Sequence, residues 1–188
     1  MRYTIIGGLN GVGKSTVYSA LTEEEMKGLG KRINVDEIVS TLGDWRDEAI
    51  QFAAGKQAVN TIRDCLNAMC DFHQESTLSG RTILNTIMKA KDRGYVVHLW
   101  YIYVASVDIA KQRVLSRVAN GGHGIHEDII ERRSTTSLEI LKTIVPLCDE
   151  VRLYDNTVAF YPVARIVEEQ LKVLDKAIPQ TILSCLTV

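Results

Sequence analysis

An α/β fold, with a mostly parallel sheet between two layers of helices, is predicted by three features of the sequence. Strand-like and helix-like periods alternate along nearly the whole chain. One run, Tyr95 to Ala105 (YVVHLWYIYVA), is β-branched or aromatic almost throughout, as expected of a strand covered on both faces and hence at the sheet's centre. A glycine-rich loop, Gly8 to Ser15, sits between the first strand and the first helix. The 188 residues, 46% apolar and 24% charged, have the composition of one ordinary globular domain over residues 1–188. At this length roughly 70% of the unfolded chain's surface can be buried, so the core needs no metal or disulfide staple.

The elements follow in order. Arg2 to Gly7 is a short strand, and Ser15 to Leu21 opens a helix after the turn. Lys31 to Val35 is a second short strand. Ala49, Ile50, Ala53, Val59, Ile62, Leu66 and Met69 recur at helical spacing between about Arg46 and Cys70. Asp71 to Glu75 reads as a brief strand, and Thr82 to Arg93 as a helix stopped by Gly94. Beyond the central strand, Ser106 is placed to cap a helix reaching about Val118. Asn120 to Gly124 is a loop, and Glu127 to Val145 is helical until Pro146. Val151 to Asp155 is read as the last strand, and Pro162 as the first turn of a helix running to about Lys176. Residues 178–188 form an apolar tail that suits a docked segment, an added edge strand or a partner-binding surface.

Composition excludes several classes of function. With 22 basic and 23 acidic residues the formal net charge is -1, so no basic excess marks a nucleic-acid binder. The longest uncharged stretch, Gly94 to Val107, is too short for the roughly 20 residues of a membrane-spanning helix. The N-terminal apolar run is glycine-rich and interrupted by Lys14, a poor secretion signal, so a cytoplasmic protein is expected. Cys65, Cys70, Cys148 and Cys185 lack zinc or C-x-x-C spacing and read as free thiols in a reducing compartment.

The strongest chemical signal is Gly8-Leu9-Asn10-Gly11-Val12-Gly13-Lys14-Ser15, a match to G-x-x-x-x-G-K-S/T in the strand-to-helix setting the motif requires. Its glycines let successive backbone N–H groups turn inward around a phosphate, and the helix N-terminus adds its dipole. Gly8, Asn10, Gly11, Val12, Gly13, Lys14, Ser15 and Thr16 are therefore the expected nucleotide contacts, with Lys14 on the β and γ phosphates and Ser15 on Mg²⁺. No N-K-x-D motif for guanine is present. Leu78-Ser79-Gly80 begins like a transporter ATPase signature, but the strand that should follow ends in Ala105-Ser106 without an acid.

A small-molecule kinase needs acids at neighbouring strand ends, and Asp36 and Glu75 stand there. Asp36 is also suited to cap the next helix; Glu75 less so, because Ser76 or Thr77 would cap better. Arg117, then Asn120-Gly121-Gly122-His123-Gly124, then Arg132-Arg133 make a pattern in which arginines on a flexible loop swing onto a triphosphate. His123 and His126 are three apart with no third metal ligand nearby, so contact with nucleotide or substrate is the better reading.

Five segments in this order resemble the compact branch of the zeta-toxin family of P-loop kinases. They are the P-loop, Ile33 to Glu37, Glu75 to Arg81, Arg117-Val118 with Gly121-Gly122-His123, and Leu153 to Asn156, and the likeness spans residues 1–158. The resemblance implies a three-layer P-loop NTPase fold with a five-stranded parallel sheet of kinase type. It implies transfer of the ATP γ-phosphate to a hydroxyl of a sugar nucleotide, foremost UDP-N-acetylglucosamine, and an antitoxin as protein partner. By position it makes Asp36 the catalytic base, Glu75 and Thr77 the substrate pair, and Arg117 with Arg132 or Arg133 the arginines of the ATP side. It also implies Arg81 as a substrate contact, although Arg81 follows Glu75 at a wider spacing than in the longer toxins. The open alternatives are a kinase of another nucleotide or sugar, and a P-loop ATPase switch acting on a protein partner.

Overall fold

The computed structural model describes residues 1–175 and 178–186. Among these, seven strands form one sheet in the order β2-β3-β1-β4-β5-β6-β7. β1 (Arg2–Gly7), β2 (Lys31–Ile33), β3 (Phe72–Ser76), β4 (Val96–Tyr103) and β5 (Glu150–Asp155) are mutually parallel. These are the expected five parallel strands. β6 (Tyr161–Val167) and β7 (Gln170–Val173) extend the sheet antiparallel beyond β5.

Helices cover both faces. On one face α3 (Glu48–Ala68), α4 (Thr82–Asp92) and α7 (Gln180–Leu186) bury Ile62, Leu66, Ile83, Ile87 and Ile182 against Tyr3, Phe72, Leu99 and Leu153. On the other, the segment after the P-loop and α5 (Val107–Ala119) bury Val17, Ala110 and Val114 against Ile6, Trp100 and Ile102. In α6 (Glu127–Ile144), Ile130 belongs to the second core but Ile140, Leu141 and Ile144 to the first. The helix therefore crosses from face to face, and Arg133 on it reaches the P-loop at the carboxyl ends of the strands.

Three expectations differ from what is found, and one left open, the apolar tail, is decided. The helix read after Pro162 is the β6–β7 hairpin. Pro162, lacking an N–H, lies opposite Tyr154 beside a register shift, where the ladder is interrupted anyway. The reversal uses Glu168 and Glu169 at φ 51 and 63, a left-handed pair normally signalled by Asn-Gly. The element after the P-loop, Lys14–Ala20, winds as a 3₁₀-helix. Ser15, Thr16 and Val17 are weak helix formers, and Ser19 Oγ donates to the Thr16 carbonyl at 2.8 Å. Helix α1 (Glu23–Gly28) then starts afresh with a capping box between Thr22 and Glu25. β2 ends at Ile33 rather than Val35, because Asn34 caps the short helix α2 (Val35–Leu42). The apolar tail is a docked helix: Ile178, Ile182, Cys185 and Leu186 are buried against the first core. Lys176, the last residue of the expected helix, and Ala177, Thr187 and Val188 of the tail region lie outside the described residues.

Glu150 pins the hairpin to the sheet. Its buried carboxylate accepts from Arg152 Nε at 2.6 Å and Arg165 Nε of β6 at 2.8 Å, with His98 Nδ1 of β4 at 3.5 Å. Burial alone would raise its pKa, but the Arg152 hydrogen bond and the charges of Arg152, His98 and Arg165 hold it below the ordinary 4.5. Burial pulls the imidazoles of His73 and His98 below their ordinary 6.5. All three groups are depressed on folding, so each contributes stability above its unfolded pKa that is lost as pH falls toward its folded value. Thermal unfolding measured between about pH 4 and 8 should show a melting temperature declining below pH 6.5 and more steeply below 4.5. A flat profile across that range would contradict this account.

Candidate active site

The P-loop leaves β1 at Gly7 and is held close to its neighbours. Gly8, Gly11 and Gly13 have φ of 143, 83 and 84. A Cβ on Gly11 would stand 2.1 Å from the Ala110 carbonyl oxygen, and one on Gly13 2.2 Å from Asn156 Nδ2, so both positions need glycine for space as well as for backbone angle. Asn156, just past β5, donates from Nδ2 to the Val12 carbonyl at 2.8 Å. The N–H groups of Lys14 and Ser15 open the helical segment and so lack intrahelical acceptors, an anion-binding arrangement.

Lys14 Nζ donates to the carbonyls of Gly8 and Leu9 at 3.0 and 3.2 Å. Burial lowers the Lys14 pKa; Asp36 and Glu75 oppose that shift, and Arg117 and Arg133 add to it. A cation in such a place gains from an anionic ligand. Arg133 Nη1 donates to Asn10 Oδ1 at 2.9 Å and lines the cleft. Arg132, its neighbour, is exposed and does not line it. Arg117 is exposed at the end of α5, near enough for its charge to act on Lys14 and His123.

The cleft has a volume of about 620 Å³ and runs from Asn10 and Lys14 past Asp36, Glu75 and Thr77 to Trp45 and His126. Asp36 does not cap α2. Asn34 does, accepting from the Asp36 N–H at 2.9 Å, which leaves the Asp36 carboxylate half-exposed in the cleft. The same Asn34 donates from Nδ2 to Glu75 Oε1 at 2.9 Å, tying the two strand-end acids together. Glu75 Oε1 also accepts from Arg32 Nη2 at 2.6 Å and Tyr18 OH at 3.0 Å, and its side chain is only 6% exposed. Its other oxygen, Oε2, faces Ser15 Oγ at 3.5 Å. Thr77 lines the cleft with its hydroxyl 2.7 Å from Ser79 Oγ. Arg81 stands exposed at the start of α4, outside the cleft.

The structure thus gathers Asn10, Lys14, Asp36, Glu75, Thr77 and Arg133 around one cleft, with Ser15 on Glu75, and leaves Arg81 and Arg132 outside. Sequence reasoning missed Tyr18, Arg32, Asn34, Trp45 and Asn156. Only Asn34 carried a legible signal, a cap residue before Asp36-Glu37. No cluster of three His, Cys, Asp or Glu side chains suited to a metal occurs among the described residues.

Strand order and loop together define a P-loop α/β fold, with the cleft at the carboxyl ends of its parallel strands. The chain belongs to the same family as an uncharacterized protein of Haemophilus influenzae, with which it shares 34% identity over 126 residues, 67% of this chain and 87% of that one. No family profile matches it. Among solved structures it is similar to a chain of the PezAT chromosomal toxin-antitoxin system of Streptococcus pneumoniae, with a TM-score of 0.62 and 18% identity over 86% of this chain and 71% of that one. It is also similar to a chain of the AvrRxo1-ORF1:AvrRxo1-ORF2 complex with sulphate ions, with a TM-score of 0.72 and 15% identity over 99% of this chain and 63% of that one. A chain of the same complex with ATP gives 0.66 and 17%, over 92% of this chain and 60% of that one.

Proposed function

We propose that the protein is an ATP-dependent kinase that transfers the γ-phosphoryl group to a hydroxyl of a small metabolite, with a sugar nucleotide such as UDP-N-acetylglucosamine as the leading acceptor. The observation that carries this reading is the Asp36 carboxylate: relieved of capping by Asn34, it opens into the same cleft as Lys14. In a hydrolytic switch the same carboxylate would orient a water instead, so the product formed is what separates the two readings.

The chain's own groups account for the steps. The loop amides and Lys14 hold the phosphates, Lys14 exchanging its loop carbonyls for phosphate oxygens. Arg133 lies close enough to exchange Asn10 for the γ-phosphate as charge builds there, and Arg117 adds a second cation. Asp36 takes the proton of the acceptor hydroxyl as the new oxygen–phosphorus bond forms and the bond to the ADP bridging oxygen breaks. Mg²⁺ fits the donor set, since it is commonly held by one or two protein oxygens plus substrate phosphates, here the Ser15 hydroxyl and Glu75 Oε2. When bound it would neutralise charge on the phosphates. In this reading Glu75, with Oε1 already taken by Tyr18, Arg32 and Asn34, serves the metal side rather than the acceptor. Thr77 remains the acceptor contact.

The PezAT and ATP-bound AvrRxo1 likenesses support nucleotide use and an antitoxin-type protein partner. Four free cysteines agree with a reducing cytoplasm, and among the described residues no helix is long and apolar enough to cross a membrane. The test is to incubate the protein with ATP and Mg²⁺ against a panel of sugar nucleotides and detect phosphorylated product by mass spectrometry. Product from one member supports the reading; ATP hydrolysis stimulated only by a protein or nucleic acid replaces it with the switch.

A further inference from the structure

The loop between α5 and α6 reaches across to the acceptor side. A Cβ on Gly124 would stand 2.8 Å from the Trp45 ring and 2.6 Å from Val118 Cγ2, so the loop is seated on the segment between α2 and α3 without clearance. The His123 ring lies 5.5 Å from the Trp45 ring at 52°, and its Nε2 is 3.4 Å from Asp36 Oδ1. The His123 side chain is mostly buried there. Asp36 Oδ2 has no partner among the described residues.

Resting on the reading of Asp36 as the base, we propose that His123 is a positioning residue: seated on Trp45, it donates an N–H to Asp36 Oδ1 and so turns Oδ2 toward the acceptor hydroxyl. The same loop leads into α6, whose Arg133 reaches the P-loop at Asn10. One moving unit therefore carries both the phosphate-facing arginine and the group that orients the base. A loop lifted off Trp45 leaves the carboxylate free to rotate, which limits wasteful transfer to water before the site is closed.

The charged groups facing His123 are Asp36 of α2 and Arg117 of α5. Burial lowers the imidazole pKa, Asp36 opposes that shift and Arg117 adds to it. Near neutral pH the ring is therefore uncharged, with its Nε2 3.4 Å from the carboxylate it would donate to as the site closes.

The experiment reads this contact directly. The chain has two tryptophans, so Trp100→Phe leaves Trp45 as the reporter, and a protonated imidazole quenches indole emission more than a neutral one. Trp45 emission should fall as pH drops through a midpoint below 6.5, and His123→Gln in the same background should abolish the step. Asp36→Asn should move the midpoint lower and Arg117→Gln should move it higher. Should Trp100→Phe fold poorly, the histidine proton resonances of the otherwise unaltered chain, assigned with His123→Gln, give the same midpoints. A midpoint that ignores Asp36→Asn overturns the proposal. With UDP-N-acetylglucosamine as acceptor, or whichever panel member is phosphorylated, His123→Ala should lower kcat roughly 10-fold or more at unchanged KM for ATP. His123→Gln, which keeps an N–H donor, should recover most of it. Full activity of Asp36→Asn sinks the reading of the base itself; an inactive Asp36→Asn beside fully active His123 variants sinks only the positioning role.

Discussion

Lys14→Ala should lower phosphoryl transfer by roughly 10²- to 10³-fold or more, the cost of removing one preorganised donor from a site of developing charge. Lys14 is the cation inside the loop itself, and among the described residues it bonds only to the carbonyls of Gly8 and Leu9. Those bonds contribute little net stability, because holding the ammonium away from water carries a desolvation cost that offsets them. Melting without nucleotide should therefore hardly move. Arg117 and Arg133 remain to attract a polyphosphate, so turnover should fall further than ATP affinity does. Calorimetric titration with an ATP analogue and the product assay separate the two quantities. A folded Lys14→Ala protein with full activity would refute the assignment of the site.

Asp36→Asn should reduce phosphorylation of the acceptor by roughly 10²-fold or more, the scale of a general-base contribution. The substitution keeps the shape of the side chain and removes the proton acceptor. The helix survives it: Asn34, not Asp36, accepts the N–H that opens α2. What is lost there is a favourable charge in the first turn, worth under about 1 kcal/mol. ATP affinity should persist, since Ser15, Lys14 and the loop amides are untouched. Unchanged turnover, or loss of ATP binding, would show that Asp36 is not the base.

What the sequence discloses and what it hides follow from the range of the interactions involved. β4 and most of β1 are legible because strands buried on both faces are dominated by apolar residues, whereas β3, Phe-His-Gln-Glu-Ser, is legible chiefly from its place before the next helix. The P-loop is legible because its geometry admits glycine alone at Gly11 and Gly13. The β6–β7 hairpin is hidden for a physical reason. Val163, Ile166, Val167 and Leu171 satisfy helical spacing as well as strand pairing, and the Glu168-Glu169 reversal carries none of the usual turn residues. Within the site, Lys14, Asp36 and Glu75 stand at positions that strand ends dictate. The partners of Glu75, however, are Tyr18 and, at the end of β2, Arg32 and Asn34, two segments distant from it in the chain, and no spacing rule in one sequence joins them. Arg132 and Arg133 were indistinguishable until the crossing of α6 decided which faces the cleft.

The bond from Asn156 to the Val12 carbonyl also bears on the order in which the molecule matures during synthesis. The phosphate-binding loop leaves the ribosome before β3, β4 and Asn156 do, yet the strand that precedes it pairs with β3 and β4, and its far wall is the side chain of Asn156. Such distant pairings close late, because long loops must be ordered before the contacts reward it. A nascent chain stalled anywhere short of Asn156 displays the motif but lacks its clamp, so nucleotide capture should wait until synthesis has passed Asn156.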